Sequence, residues 1–256
     1  MKKRIIYIPL LILFSLTLTG CPPSHNTVEN KDILFQYSAL GSLLAGVFDG
    51  DITFGKLKKQ GDFGLGTFNA LDGEMIAVDH QFYQIKADGI AYQVPDEMKA
   101  PFAVVTWFGA DQTIISDTPM NWDQLLTYLD SVLPTENIPF AIKIEGTFDY
   151  MKTRSVPRQN QPYPRLLEVL KTQPVFEFHQ VEGVMAGFRL PDYVQGLNAP
   201  GYHFHFITKN RDAGGHVLDC KIQNIKIEID YTDQWHLVFP EDEEFYHFNM
   251  TADKYQ

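Results

Sequence analysis

Three histidines stand close together in the last third of the chain: His203, His205 and His216. Side chains two residues apart on a β-strand point to the same side, so His203 and His205 share one face if Tyr202 to Ile207 is a strand. Uncharged imidazole nitrogens are ligands that Zn²⁺ prefers, and a set of three leaves coordination positions open for a substrate. This spacing therefore predicts a metal site with Lewis-acid chemistry.

The third histidine reaches such a site only if the chain turns back on itself. Lys209 to Gly215 is a polar segment that ends in two glycines, and His216 opens the next apolar run. If the two strands pair antiparallel around this turn, His216 returns beside the first two rings. A His-x-His pair alone also fits two structural or exposed histidines, so the third ring carries the prediction.

Other metal and cofactor motifs find little support in the sequence. Cupin barrels also place His-x-His on a strand, but Ile207-Thr208-Lys209-Asn210 stands where that motif needs a glutamate and then a glycine. The sequence has no His-Glu-x-x-His pattern, phosphate-binding loop, dinucleotide-binding glycine fingerprint or Gly-x-Ser-x-Gly elbow. Helical zinc proteases, nucleotide-dependent enzymes and serine hydrolases are accordingly disfavoured.

The elements that must position these residues are predominantly short strands. Asp72-Gly73 and Asp88-Gly89 are typical hairpin turns. The clearest helix is Asn121 to Leu133, with apolar residues at helical spacing and an asparagine to cap its start. Ile33 to Val47 is also predicted as a helix, and Tyr163 to Lys171 as a shorter one. The predicted strands lie near residues 65–68, 75–78, 82–85, 90–93, 102–108, 138–150, 175–178, 181–188, 202–207, 216–220, 222–229 and 235–239.

This pattern predicts an α+β fold of two lobes, dominated by mixed or antiparallel sheet. A stretch rich in proline and glutamine between residues 157 and 164 is the predicted boundary between the two lobes. We expect an N-terminal β-rich lobe with a helix at 32–160 and a C-terminal β-rich lobe that carries the metal site at 161–256. The 256 residues suffice for a substantial core, and the formal net charge of −11 disfavours a nucleic-acid-binding protein.

The N-terminus is predicted to be a targeting signal. Lys2, Lys3 and Arg4 precede an apolar run that ends in Leu18-Thr19-Gly20-Cys21, and this end resembles the lipobox of bacterial lipoproteins. The resemblance implies a signal peptide at 1–20, a lipidated Cys21 and a polar, proline-containing tether at 21–31. Removal of three positive charges lowers the formal charge from −11 to −14. We expect a soluble domain outside the cytoplasm that contacts a bacterial membrane through Cys21 only; the second cysteine, Cys220, is then a buried free thiol.

Several long motifs resemble the bacterial α-acetolactate decarboxylase family. They cover nearly the whole chain after the tether. They are Gly64-Leu65-Gly66-Thr67-Phe68, Leu71-Asp72-Gly73-Glu74-Met75, Gly146-Thr147-Phe148, Thr153-Arg154-Ser155-Val156-Pro157, the run from His179 to Arg189, the run from Asn198 to Phe206 and the run from Ala213 to Leu218.

The resemblance implies an activity and a set of site residues. The family converts (S)-2-acetolactate to (R)-acetoin and CO₂, as two-lobed α/β homodimers that bind zinc through three histidines. Those ligands fall here on His203, His205 and His216, and the active-site arginine falls on Arg154. The glutamate and the threonine of the family motifs fall on Glu74 and Thr67.

Chemistry gives each of these residues a role. Loss of CO₂ from a 2-hydroxy-3-keto acid leaves an electron pair, which the neighbouring ketone accepts as an enediolate that Zn²⁺ stabilises. Arg154 is expected to hold the substrate carboxylate, and Glu74 to protonate the enediolate on one face. Thr67 is expected to hydrogen-bond the substrate or Glu74. Without the family resemblance, such an arginine is more often part of a solvated basic surface, such a glutamate is more often an exposed strand residue, and Thr67 is simply a good strand former.

Two alternatives stay open at this point. The family also brings a C-terminal glutamate over its metal, and Glu241, Glu243 and Glu244 do not match that position. The departure favours a non-catalytic lipoprotein that binds a metal or a small oxyacid. A decarboxylase or isomerase of another small hydroxy-keto acid is the second alternative.

Overall fold

The computed structural model describes residues 32–249. The predicted signal peptide and tether lie outside these residues, as does the segment 250–256. Of the helices in the described part of the chain, none has both the length and the apolar character needed to span a membrane.

The elements follow one another in an order dominated by strands. The strands are β1 Ile33–Tyr37, β2 Ile52–Thr53, β3 Phe63–Thr67, β4 Glu74–Val78, β5 Gln81–Ile85, β6 Ala91–Gln93, β7 Lys99–Ala100, β8 Ala103–Thr106, β9 Gln112–Ser116, β10 Met120–Asn121, β11 Phe140–Arg154, β12 Val175–Leu190, β13 Gly201–Thr208, β14 Gly214–Tyr231 and β15 Gln234–Val238. The helices are α1 Leu40–Ala45, α2 Phe54–Leu57, α3 Trp122–Val132, α4 Leu166–Leu170 and α5 Glu243–His247, and short 3₁₀ turns occupy Asn69–Leu71 and Asp192–Val194. The predicted α+β, sheet-dominated class is confirmed.

The first sheet is mixed and has seven strands, in the order β15-β1-β8-β3-β4-β5-β6. β1 and β15 run parallel, and the other neighbours run antiparallel. Both faces of this sheet are buried: Ile76 and Val78 on β4 face one core, and Met75 and Ala77 face another. Glu74 begins the same strand and shares the face of Ile76 because side chains alternate.

The second sheet is antiparallel and built on three long strands, in the order β10-β14-β11-β12-β13. The start of β14 also pairs with β13, so β11, β12, β13 and β14 form a closed ring of paired strands. β9 pairs with a later part of β14. An apolar core that includes Phe148, Phe204 and Phe206 is packed with this sheet and α3. A further core joins the two sheets, through residues such as Val104 on one side and Phe188 on the other.

The clearest predicted helix is confirmed as α3. Asn121 accepts a hydrogen bond from the backbone N–H of Gln124, and the Gln124 side chain accepts one from the backbone N–H of Asn121. This capping box satisfies two backbone donors that a helix start leaves without partners. The helix predicted at Tyr163 to Lys171 forms over Leu166–Leu170 only.

The prediction of a helix over Ile33 to Val47 is wrong for its first half. Ile33–Tyr37 is a strand, paired on one side with β15 and on the other with β8. Ser38 then adopts a positive φ of 67°, and α1 begins only at Leu40. Sheet pairing supplies hydrogen bonds on both sides of β1, and this tertiary effect overrides the local periodicity.

Strand pairing crosses the predicted lobe boundary at residue 160 in both directions. β11 precedes that residue yet lies in the second sheet, whereas β15 follows it and lies in the first. The division into lobes at 32–160 and 161–256 stays a prediction. Cys220 is buried, as predicted, and has no disulfide partner within the described residues; burial next to Asp219 raises the pKa of its thiol to about 12.

Candidate active site

The three histidines converge at the junction of β13 and β14. His205 pairs directly with His216 across the two strands, and His203 lies two residues before His205 on the same face. The turn between the strands is tight, since Thr208 accepts and donates hydrogen bonds with Asp212. The predicted hairpin and the convergence of the three rings are confirmed.

The ring nitrogens have spacings that suit one metal ion. Nε2 of His203 lies 3.1 Å from Nδ1 of His216, and that Nδ1 lies 3.3 Å from Nε2 of His205. A tetrahedral ion with bonds of about 2.0–2.1 Å to imidazole holds its nitrogens about 3.3 Å apart. Ligand atoms of all three residues lie within 4.8 Å of one another. The donor set therefore fits a single divalent metal.

The backbone of the first sheet orients one of these rings. Nδ1 of His205 lies 2.7 Å from the carbonyl oxygen of Met75 on β4, and only a protonated Nδ1 can donate to that oxygen. This contact fixes the tautomer and leaves the Nε2 lone pair free for a metal. Sequence reasoning missed Met75, because a backbone carbonyl carries no residue-type signal.

The three imidazoles are held uncharged. Burial lowers the pKa of His203 to about 3, and the neighbouring positive charge of Arg154 lowers it further. The same two causes, together with the other rings, bring the pKa values of His205 and His216 well below the usual range. Neutral rings keep the lone pairs that a metal needs.

Glu74 and Arg154 meet the histidines from two different sheets. Arg154 ends β11, where it pairs in register with His216, and its Nη1 donates to Oε1 of Glu74 at 2.8 Å. Oε2 of Glu74 lies 3.5 Å from Nε2 of His205. Because His205 is neutral, this last contact is dipolar and not an ion pair. Burial raises the pKa of Glu74, and Arg154 opposes that rise.

Thr67 lies directly across from Glu74 in the pairing of β3 and β4. Its hydroxyl donates to the carbonyl of Gly73 at 2.7 Å. Gly73 has a φ of +95°, a region that glycine enters at little cost, so this turn can close just before Glu74. The hydroxyl of Thr67 thus donates its proton within the turn and stabilises it. The predicted contact of Thr67 with substrate or Glu74 stays a prediction.

These six residues line one cavity of about 70 Å³ between the sheets. Such a volume is several times the space that one buried water occupies, so the cavity suits a small molecule. Its other walls are mainly apolar: Leu40, Leu43, Gly66, Leu71, Phe102, Val156 and Leu166. Sequence reasoning did not assign this wall; the one available signal was the helical spacing of Leu40 and Leu43.

Comparison with known proteins identifies the family. The alpha-acetolactate decarboxylase family model matches residues 34–252. The chain is 50% identical over 208 residues to an alpha-acetolactate decarboxylase of Methylococcus capsulatus, covering 81% of this chain and 80% of the relative. The chain belongs to the alpha-acetolactate decarboxylase family.

Further relatives agree with this family assignment. An alpha-acetolactate decarboxylase of Methanosarcina mazei is 49% identical over 220 residues, which are 86% of this chain and 76% of that protein. The crystal structure of the alpha-acetolactate decarboxylase of Bacillus subtilis strain 168 superposes with a TM-score of 0.84 at 39% identity, over 86% of this chain and 94% of that one. As an acetolactate decarboxylase, the protein is a carbon–carbon lyase.

Glu241, Glu243 and Glu244 are not among the described residues that line the cavity of this decarboxylase. Glu243 pairs with His247 on α5 at 2.9 Å, and the carboxyl of Glu244 lies near Asp49. Within residues 32–249, the cavity has no lining residue from α5 or from the segment that holds Glu241.

Proposed function

We propose that this protein converts (S)-2-acetolactate to (R)-acetoin and CO₂ with a zinc ion held by His203, His205 and His216. The observation that carries the proposal is the set of three uncharged imidazoles that line a small cavity together with Arg154 and Glu74. Because neutral ligands leave the ion doubly positive, zinc in this place supplies a strong Lewis acid for electron density that develops as CO₂ departs.

Arg154 binds and orients the substrate carboxylate. A guanidinium offers five N–H donors in a planar fork, and Nη1 engages Glu74, so the other donors remain for a second carboxylate. The side chain is 13% exposed, which limits competition from water. The apolar wall formed by residues such as Leu40 and Phe102 receives the methyl groups and excludes water.

Glu74 delivers the proton that completes the product. Breaking the bond to the carboxylate leaves its electron pair on the substrate, and one carbon must then gain one proton. Glu74 is 8% exposed at its side chain, and it stands between Arg154 and His205. Burial favours its protonated form, and water restores the proton after each turnover. Delivery from one fixed side yields a single enantiomer.

Metal analysis combined with an acetoin assay on racemic acetolactate tests the proposal. The wild-type protein is expected to hold one zinc per chain and to consume half of the racemate. His205→Ala is expected to lose both the metal and turnover. His80→Ala removes a histidine whose side chain is 71% exposed, and is expected to keep both.

Each other outcome has a definite meaning. Full turnover by a metal-free His205→Ala protein would end the zinc mechanism. Zinc without acetoin formation would support a non-catalytic binding protein, and product from a different hydroxy-keto acid alone would reassign the substrate.

We propose also that the protein works outside the cytoplasm, anchored through lipid on Cys21. Support comes from the sequence Leu18-Thr19-Gly20-Cys21 after a basic start and an apolar run. Expression in a bacterial host with labelled palmitate is expected to label the wild type and to leave Cys21→Ser unlabelled and unprocessed. Cys220→Ser is the matched control, and equal label in all three proteins would contradict the anchor.

We infer a homodimer from the family resemblance. Light scattering on the purified mature protein is expected to give twice the mass of one chain, independent of dilution over the micromolar range. A single-chain mass at the highest concentration would contradict this inference.

A further inference from the structure

Two buried hydroxyl residues stand on either side of Arg154 in the chain. Thr153 and Ser155 both have 0% of their surface exposed. Arg154 points into the cavity, and alternation along an extended chain directs its two neighbours away from it. Within the described residues, neither hydroxyl residue lines the cavity.

The hydroxyl of Thr153 ties the strand of Arg154 to the hairpin of His216. Its Oγ1 donates to the carbonyl of Gly214 at 2.9 Å. Gly214 begins β14, two residues before His216, and His216 pairs in register with Arg154. The pairing of β11 with β14 shifts register between Lys152 and Thr153. The hydrogen bond from Thr153 therefore stabilises the sheet at a point where the backbone hydrogen-bond pattern is irregular.

The hydroxyl of Ser155 ties the same segment to the strands of Glu74. Its Oγ donates to the carbonyl of Ile85 on β5 at 2.7 Å. Ile85 pairs in register with Glu74 on the neighbouring strand β4. One side chain thus connects the two sheets at the point where Arg154 and Glu74 meet across them.

We propose that Thr153 and Ser155 are positioning residues that hold the Arg154 guanidinium in place relative to His216 and Glu74. Arg154 has a long flexible side chain, and its reach toward a substrate depends on where its backbone lies. The two hydroxyls fix the backbone before and after Arg154. Thr153 bonds to the hairpin that carries His216, and Ser155 bonds to the strand that pairs with Glu74. The inference rests on the proposed function, because it assigns Arg154 to the substrate carboxylate.

A matched set of variants separates positioning from simple stability. Thr153→Val removes the hydroxyl at nearly constant volume, Thr153→Ser keeps it, and Ser155→Ala removes the second one. Thr106→Val is the control, because Thr106 is equally buried and its Oγ1 donates to the carbonyl of Ile33 at 2.9 Å. Thr106 lies on β8 and is not among the lining residues of the cavity.

Three quantities are measured on each metal-loaded protein: kcat and KM for acetoin formation, the affinity for lactate by calorimetry, and the free energy of unfolding. Lactate supplies a carboxylate without a reaction. Thr153→Val and Ser155→Ala are expected to lose about ten- to a hundredfold in kcat/KM and in lactate affinity, because small displacements of a positioned group have effects of this size. Thr153→Ser recovers most of both, with stoichiometric metal throughout.

The control decides the interpretation. Thr106→Val is expected to lower the free energy of unfolding by about as much as Thr153→Val does, while its kcat/KM and its lactate affinity change less than twofold. Equal losses in Thr106→Val and Thr153→Val, or no lactate binding by the wild type, would overturn the positioning role. Lactate binding that follows the expected order in a wild type without turnover would instead remove the proposed decarboxylation and leave the positioning role intact.

Discussion

At the scale of single residues, burial lowers the pKa values of the three site histidines and raises the pKa of Glu74. Three neutral imidazoles, one buried carboxyl and one guanidinium share a small space, and Glu74 contacts both the arginine and a histidine. The histidine set was predictable, because strand alternation and a glycine-ended turn are both visible in the sequence. The contact of His205 with the Met75 carbonyl was not, since it joins two sheets.

Glu74→Gln tests the acid role of this carboxyl. Glutamine keeps the volume and an acceptor for Arg154 but cannot donate a carboxylic proton. We expect kcat to fall by about 10²–10⁴-fold with metal content unchanged, the usual contribution of a positioned acid. Glu182→Gln changes an exposed glutamate and is expected to keep wild-type kinetics in the same acetoin assay. A kcat within twofold of wild type would remove Glu74 from the proton transfer.

Arg154→Lys tests the guanidinium fork. An ammonium keeps the charge but cannot contact two carboxylates in paired geometry, so substrate binding weakens while the metal stays. We expect kcat/KM to fall at least about tenfold, since a hydrogen bond to a charged group contributes about 1.5–3 kcal/mol. Arg158→Lys, at a side chain that is 64% exposed, is the control. Wild-type kinetics in Arg154→Lys would argue against carboxylate recognition by this residue.

At the scale of elements, the predictions from local sequence were correct where an element is stabilised by contacts among its own residues. α3 has a capping box and a stripe of apolar residues, and both are local. β1 was mistaken for helix because its partners β8 and β15 lie far away in sequence. The strands predicted at 175–178 and 181–188 are one strand, β12, in which Gln180 has a φ of 49°.

Asn121→Ala tests the start of α3. Loss of the cap leaves a helix N–H without its partner and is expected to lower the free energy of unfolding by about 1 kcal/mol. Urea unfolding at constant pH measures this change, and Asn121→Ser is expected to retain most of the stability because serine also caps. The cavity has no lining residue from α3, so turnover at low temperature should be unaffected in both variants. An unchanged unfolding midpoint in Asn121→Ala would show that the cap contributes nothing.

At the scale of the whole molecule, the site exists because two sheets pack against each other. Thr67 and Glu74 come from the first sheet, and Arg154 and the histidines come from the second. Another carboxyl, Asp230, is fully buried near the segment that links the sheets, where its Oδ2 accepts from the backbone N–H of Gly109. Burial raises its pKa to about 7, and the negative charges of Asp111, Asp32 and Asp62 add to the rise.

Asp230 makes the stability of the fold depend on pH. The pKa of Asp230 in the folded protein exceeds the value of about 3.9 in the unfolded chain. Between these two pKa values the folded protein keeps a proton that the unfolded chain has lost, so the stabilisation from this proton is fully present only below about pH 3.9. Stability is then lost as pH rises through about 7. Asp230→Asn stays neutral, so the decrease in unfolding free energy between pH 5 and pH 8 is expected to be smaller in the variant. Urea unfolding across this range measures both slopes, and parallel slopes would contradict the prediction.

The sequence by itself determined the cluster of three histidines, the strand-rich class, the capped helix and, through long motifs, the family. These features depend on spacing of two to about fifteen residues, over which alternation and turn chemistry act directly. Only the tertiary structure decided that Glu74 meets Arg154, that Met75 orients His205 and that leucines from α1 and α4 close the cavity. Such contacts join residues 80 or 130 positions apart, and sheet packing rather than local preference brings them together.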